Sequence, residues 1–273
     1  MSRASFAAIL AFGALSTGAA ESHEFWIEPV LYQTEPGFRI IAAIRVGQAF
    51  EGSSYAYLPD NFLRFDLEQG GEMAPVDGRP GDRPAVNLEA TREGLAILVH
   101  VTRDYELEYD SYEDFVSFVE SKDAAWVLGS HADRGLPEEG PVEAYSRYGK
   151  SLIAVGDGAG QDHSFGLLTE IVALENPYTD DMSDGLDVQV LYEGEPRGDA
   201  QVEVFAKDAE GTVEITKLMT DKSGLVTVPV EPGKSYLVDS VLLREPKPEA
   251  VESMGAVWES LWASLTFAIP EGT

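Results

Sequence analysis

Apolar and polar residues alternate along most of this chain with the two-residue period of half-buried strands. Phe38 to Val46 (FRIIAAIRV) is rich in β-branched and apolar residues and follows the turn residues Glu35-Pro36-Gly37. Phe62 to Leu67 and Leu95 to Thr102 repeat the pattern. Gly70 to Pro84, dense in Pro, Gly and Asp, is expected to be a loop with at most a short strand. Between Ser111 and Leu128 the period lengthens. Phe115, Val119 and Val127, with Tyr112, Phe118 and Trp126 beside them, suit a helix capped at Ser111-Tyr112-Glu113-Asp114 and ended by Gly129, Gly135, Pro137 and Gly140. Val142 to Lys150 reads as a second short helix leading into a strand at Ser151 to Val155, which places a helical insertion at about 111–150. A further strand is expected over Gly166 to Leu174.

An acidic stretch, Thr179 to Gly185, reads as a linker. Beyond it, short alternating segments at Leu186 to Tyr192, Gln201 to Ala206, Glu214 to Met219, Val226 to Val230 and Tyr236 to Leu243 are punctuated by turn residues. Arg244 to Met254 is expected to be flexible, and Trp258 to Phe267 to form the last strand. The fold class is therefore mainly β: an N-terminal β-sandwich over 23–178 with a helical insertion, and a C-terminal β-sandwich module over 186–273.

The N-terminus departs from this pattern. Arg3, the apolar Phe6 to Leu15 and the small residues Ser16 to Ala20 have the layout of a secretory signal, too short to span a bilayer, which needs about 20 apolar residues. With 1–22 removed, a periplasmic location is expected. Cuts after Ala19, Ala20 and Ser22 all satisfy the small-residue rule. The second leaves Glu21-Ser22-His23, whose amine, amides and imidazole can enclose Cu(II) or Ni(II). The third makes His23 the first residue, with its amine and ring forming a bidentate chelate.

Composition narrows the chemistry. The 19 Lys and Arg against 48 Asp and Glu give a net charge of −29, which excludes nucleic acid as a partner and disfavours direct membrane insertion. Cysteine is absent and only 5 Met occur, so a metal would be held by His, carboxylates or the terminal amine. No GxSxG elbow, P-loop, Rossmann fingerprint, HExxH or catalytic Cys is present, so an enzyme is not expected. A calcium loop at Asp180 to Gly185 fails because Leu191 stands where its Glu belongs.

The 4 histidines are the candidate metal ligands. His23 is followed by Phe25, Trp26 and Ile27, an apolar anchor able to fix the new terminus. His100 alternates with Ala96 and Leu98 on one strand face, the pattern of a core or rim histidine. His131 follows the long helix in a loop, from which it can swing towards a ligand, although a helix C-terminus also favours an imidazole electrostatically with no metal present. His163 lies in a Gly-rich loop. Glu24, Glu28 and Asp162 are the acidic groups nearest to these candidates, and Tyr145, Arg147 and Tyr148 could line a pocket.

The chain also resembles one family. His23-Glu24-Phe25-Trp26-Ile27-Glu28-Pro29 after the signal, Tyr145 to Leu152, Leu174 to Tyr178 (LENPY) and the closing Trp258 to Phe267 are similar to exported bacterial proteins labelled as periplasmic accessory components of nickel or cobalt uptake. Gly194 to Ala200, Thr220 to Gly224 and Pro232-Gly233 resemble transthyretin-like or carboxypeptidase-regulatory modules, which are structural or adhesive. The resemblance implies a divalent transition metal (Ni, Co or Cu) captured through His23, a mature start at or next to His23, and a membrane metal importer as partner. Two other readings stand beside it: a structural or adhesive envelope protein without metal, and a histidine-brace copper enzyme.

Overall fold

The computed structural model describes residues 23–271, so the signal-like segment and its cleavage sites lie outside the described residues. The strands of the first half are β1 (Glu24–Pro29), β2 (Gln33–Thr34), β3 (Arg39–Gln48), β4 (Glu51–Tyr55), β5 (Phe62–Gln69), β6 (Glu72–Pro75), β7 (Val86–Glu89), β8 (Gly94–Thr102) and β9 (Tyr105–Glu108). Helices α1 (Tyr112–Ser121) and α2 (Trp126–Asp133) separate these from β10 (Val142–Val155) and β11 (Thr169–Ala173). Then come β12 (Leu186–Tyr192), β13 (Glu195–Pro196), β14 (Gln201–Lys207), β15 (Val213–Met219), β16 (Leu225–Val228), β17 (Ser235–Arg244), α3 (Pro248–Met254) and β18 (Trp258–Ala268). With 48% strand and 11% helix the protein is mainly β, as the alternation predicts.

A ten-stranded sheet in the order β15-β14-β17-β18-β10-β8-β5-β6, with β2 and β9 also on β10, is the central layer. Its inner strands, such as β8 and β18, carry apolar residues on both sides because each side is covered. In β8, Leu95, Ile97, Val99 and Val101 share a core with Ile171, Val188 and Val190 of the β11-β12-β13-β16 sheet. The alternate residues Ala96 and Leu98 share a second core with Phe25, Ile27, Ile40 and Ile44 of the β1-β3-β4-β7 sheet. His100 follows Leu98 on that second side, as its spacing predicts.

Three expectations differ from the structure. Val142 to Lys150 is not a helix. It is the first part of β10, which pairs with β18 in parallel over Glu143–Ser151 and with β9 and β8 antiparallel. A central strand covered on both sides loses its period-two signature, and pairing to neighbours overrides local propensity. The insertion therefore ends with α2. The single helix expected from Ser111 is also two, because Asp123 at φ 54° turns the chain between α1 and α2. Ser111 does cap α1, its hydroxyl accepting from the Asp114 amide at 3.1 Å. Third, Pro248–Met254 is ordered as α3, with Pro in its first turn and Gly255 left-handed at its C-cap.

The sheets do not follow the expected division at 178/186. β11 before the acidic stretch pairs with β12 after it, and β18 pairs with β10. Both halves therefore bury their apolar faces in one shared core.

Candidate functional site

The opening motif enters the molecule through its aromatic residues. Phe25, Trp26 and Ile27 are all buried, and the Ile27 carbonyl accepts from Thr266 Oγ1 of β18 at 2.7 Å. Phe25 lies against Gly149 of β10, where a Cβ would sit 2.8 Å from its ring, so a side chain at 149 would push the motif off the sheet. This anchoring sets His23 at the rim of a cavity of about 290 Å3.

The cavity lies between the β1-β3-β4-β7 sheet and the central sheet, and His23, Phe25, Phe62, His100, Tyr105 and Arg147 are among its walls. No carboxylate lines it among the described residues. His100 is 3% exposed and its ring meets Phe25 at 5.1 Å, Phe62 at 5.3 Å and Phe65 at 4.8 Å between centroids. Burial among these rings pushes its pKa down to about 3, so its imidazole is neutral at physiological pH. Arg147 comes from β10, its guanidinium stacked 4.7 Å over the Tyr145 ring and donating from Nη2 to the His23 carbonyl at 3.2 Å. Burial pushes its pKa down, opposed by Tyr145, Tyr105 and Tyr55.

Three buried nitrogens at this cavity have no hydrogen-bond partner among the described residues: His23 Nδ1, His100 Nδ1 and Arg147 Nε. Buried polar atoms are normally satisfied, so three unsatisfied nitrogens among the residues of one cavity make it the candidate binding site. The arrangement offers two nitrogen donors and a guanidinium on an aromatic wall. No group of three or more His, Cys, Asp or Glu side chains among the described residues is arranged to hold a metal ion. A metal here would rest on the two imidazoles and on a donor that is not a side chain.

The other two candidate histidines lie elsewhere. His131 belongs to α2 and not to a loop after the helix, and at 1% exposed its ring is in the core that α1 and α2 cover. Its Nδ1 accepts from Trp258 Nε1 at 3.0 Å, so Nε2 carries the proton and donates to the Pro137 carbonyl at 3.0 Å. His163 is half-exposed, packed on Phe165 at 4.3 Å between centroids and 3.4 Å from Glu68. The acidic neighbours are engaged as well: Glu28 with Arg45 at 2.7 Å and Lys207 at 3.4 Å, Asp162 with Lys150 at 2.7 Å, and Glu24 with Lys122 at 4.0 Å.

Of the expected pocket residues, Tyr145 and Arg147 line the cavity, whereas Tyr148 belongs to the core on the opposite side of the central sheet. Tyr55, Phe62 and Tyr105 are lining residues that the sequence did not single out. Phe62 and Tyr105 lie on strands flanking β8 and β10, which is visible once β10 is known to be a strand, and Tyr55 comes from β4 of the facing sheet.

The solved structures with similarity to this chain are distant. The tetra-tandem repeat in the extending region of a large adhesion protein matches at 10% identity and a TM-score of 0.20, over 89% of this chain and 49% of that one. A Salmonella alpha-2-macroglobulin reacted with methylamine matches at 10% identity and 0.22, over 93% and 15%. The chain thus spans about half of the first and far less of the second, and likenesses this weak carry no argument. No curated protein matches the chain. The profile described as Domain of unknown function (DUF4198) matches residues 20–242, and the chain belongs to that family.

Proposed function

We propose that this chain is an exported binding protein that captures a divalent late transition metal, Ni(II), Co(II) or Cu(II), at the His23–His100 cavity and passes it to a membrane uptake system. One observation carries the reading: His23 and His100, from distant parts of the chain, line one cavity, and the Nδ1 of each is buried without a partner among the described residues. Nitrogen donors without sulfur suit this group of metals. A signal cut after Ser22 adds the amine of His23, which closes a chelate ring with its own Nδ1. Because His100 is neutral, it needs no deprotonation to ligate.

Arg147 gives the proposal its shape. A dication among neutral nitrogens beside a buried guanidinium is repelled, so the captured species brings a small anion that pairs with Arg147. The apolar walls accommodate the anion's carbon framework. Release proceeds by ligand exchange at the rim, where His23 is the donor nearest solvent.

The test uses the protein processed in its own export pathway. N-terminal mass spectrometry fixes the cut, and calorimetry with Ni(II), Co(II), Cu(II) and Zn(II) compares wild type, His23→Ala and His100→Phe. Tight binding in wild type that both variants lose is the expected result. Undiminished binding in both variants overturns the site, and no binding by wild type favours a structural envelope protein.

A further inference from the structure

On the other side of the central sheet, under the β11-β12-β13-β16 sheet, a second polar cluster is closed to solvent. Lys150 of β10 is 1% exposed, and its Nζ stands 2.7 Å from Asp162 Oδ1 and 3.3 Å from Glu170 Oε1, whose side chains are 0% and 1% exposed. The same amine donates to the His163 carbonyl at 3.2 Å and stands 5.2 Å from the centre of the Phe165 ring. Leu152 of β10 and Leu167 and Ile171 beside Glu170 belong to the surrounding apolar core.

The two carboxyls are held differently. Glu170 accepts from the Phe165 amide at 2.8 Å, the Ser164 hydroxyl at 2.9 Å and the Leu167 amide at 3.2 Å, which hold its carboxyl in place beside the amine. Asp162 Oδ2 accepts from the Ala173 amide at 2.9 Å and Oδ1 from the His163 amide at 2.9 Å, which fixes the plane of its carboxyl against the amine. Burial pushes the Asp162 pKa up, against the pull of Lys150. One ammonium between two carboxylates would leave a net negative charge shut away from water. A proton on Asp162 removes it.

The geometry points to an autocatalytic isopeptide bond between Lys150 Nζ and Asp162 Cγ, with Glu170 as the proton carrier. Lys150 passes one proton to Glu170, and the freed lone pair bonds to Cγ of the protonated Asp162 carboxyl. The tetrahedral adduct then collapses: the C–O bond to the hydroxyl breaks, and the hydroxyl leaves as water with a second Nζ proton relayed by Glu170. The products are a secondary amide, one water and a protonated Glu170. Atoms and electrons balance, and no oxidant or cofactor takes part. Holding amine and acid in contact in a water-free core supplies the proximity that makes amide formation feasible without activation. The bond would tie the loop after β10 to the central sheet, a covalent staple in a chain that contains no cysteine.

Intact mass spectrometry of the purified, denatured protein decides the matter, with the N-terminus fixed independently. The expected wild-type mass is lower than the sequence mass by one water, and protease digestion yields a branched peptide joining the segments that carry Lys150 and Asp162. Lys150→Arg and Glu170→Gln are expected at their full sequence masses. An ion pair, however strong, does not change the mass of denatured protein. Wild type at full mass, with trypsin cutting after Lys150, overturns the proposal whatever the variants do.

Discussion

Two buried histidines on the same chain have opposite surroundings. His131, under α1 and α2, has both ring nitrogens occupied, by the Trp258 indole and the Pro137 carbonyl. Around it the polar groups close on one another: Glu143 accepts from Tyr109 and Ser260, and the Trp262 indole donates to Ser260 at 2.9 Å. His100, under the β1-β3-β4-β7 sheet, is surrounded by three phenylalanine rings, has an Nδ1 unpartnered among the described residues, and lines a cavity together with His23 and Arg147. Burial alone does not separate a ligand from a core residue. What separates them is whether the protein itself uses the ring's hydrogen-bonding capacity.

That contrast can be broken by exchange of function between the two histidines. The largest effect is expected at the cavity, where His23→Ala or His100→Phe lowers metal affinity by roughly 100-fold, about 2.7 kcal/mol. Phe at 100 keeps the aromatic packing, so thermal unfolding of that variant should stay close to wild type while the calorimetric titration changes.

His131→Ala should behave in reverse. It removes a buried ring and strands the Trp258 indole N–H, costing about 3 kcal/mol of stability by denaturant unfolding, with metal affinity unchanged. A loss of metal binding in this variant, in protein shown to be folded, would erase the distinction between the two sites.

Glu143 sharpens the contrast through pH. Burial raises its pKa from 4.5 to about 7, and the hydrogen bonds from Ser260 and Tyr109 offset only part of that. In the folded state it therefore holds a proton that the unfolded chain gives up above about pH 4.5. Stability from this group is full below that pH and falls as pH rises through about 7, by at most about 3 kcal/mol. Glu143→Gln should lose this pH dependence, measured as the difference in unfolding free energy between variant and wild type across that window. Metal affinity should again be unaffected.

Arg147→Met, next in size, should abolish the dependence of metal binding on added small carboxylates, read by titration with and without them. The smallest effect belongs to His163→Ala. Its ring is half-exposed and its contact to Glu68 lies near the surface, so stability should change by no more than about 0.5 kcal/mol.

Much of this was written into the sequence, and the remainder has physical reasons. The face of His100 was legible because Ala96 and Leu98 precede it at period two, and the buried anchor Phe25-Trp26-Ile27 was legible as an apolar run after a signal-like segment. The capped start of α1 followed from Ser111 and Asp114. β10 was not legible, because a strand covered on both sides alternates nothing, and Tyr145, Arg147 and Tyr148 then mimic a helix face. Misplacing β10 hid the opposite directions of Arg147 and Lys150. The cavity draws on β1, β3, β4, β5, β8, β9 and β10, so its closure is a product of tertiary pairing that no local spacing records. That both halves share one sheet was hidden for the same reason, since β18 finds β10 only in the folded chain.

The central claim is that the cavity's unpartnered imidazoles, and not the partnered one, bind metal. Calorimetric titration of processed wild type, His100→Phe and His131→Ala with Cu(II) and Ni(II) tests it most directly. The account predicts a single tight site in wild type and His131→Ala that is weakened roughly 100-fold in His100→Phe. Equal affinity in all three proteins, or loss only in a folded His131→Ala, would contradict it.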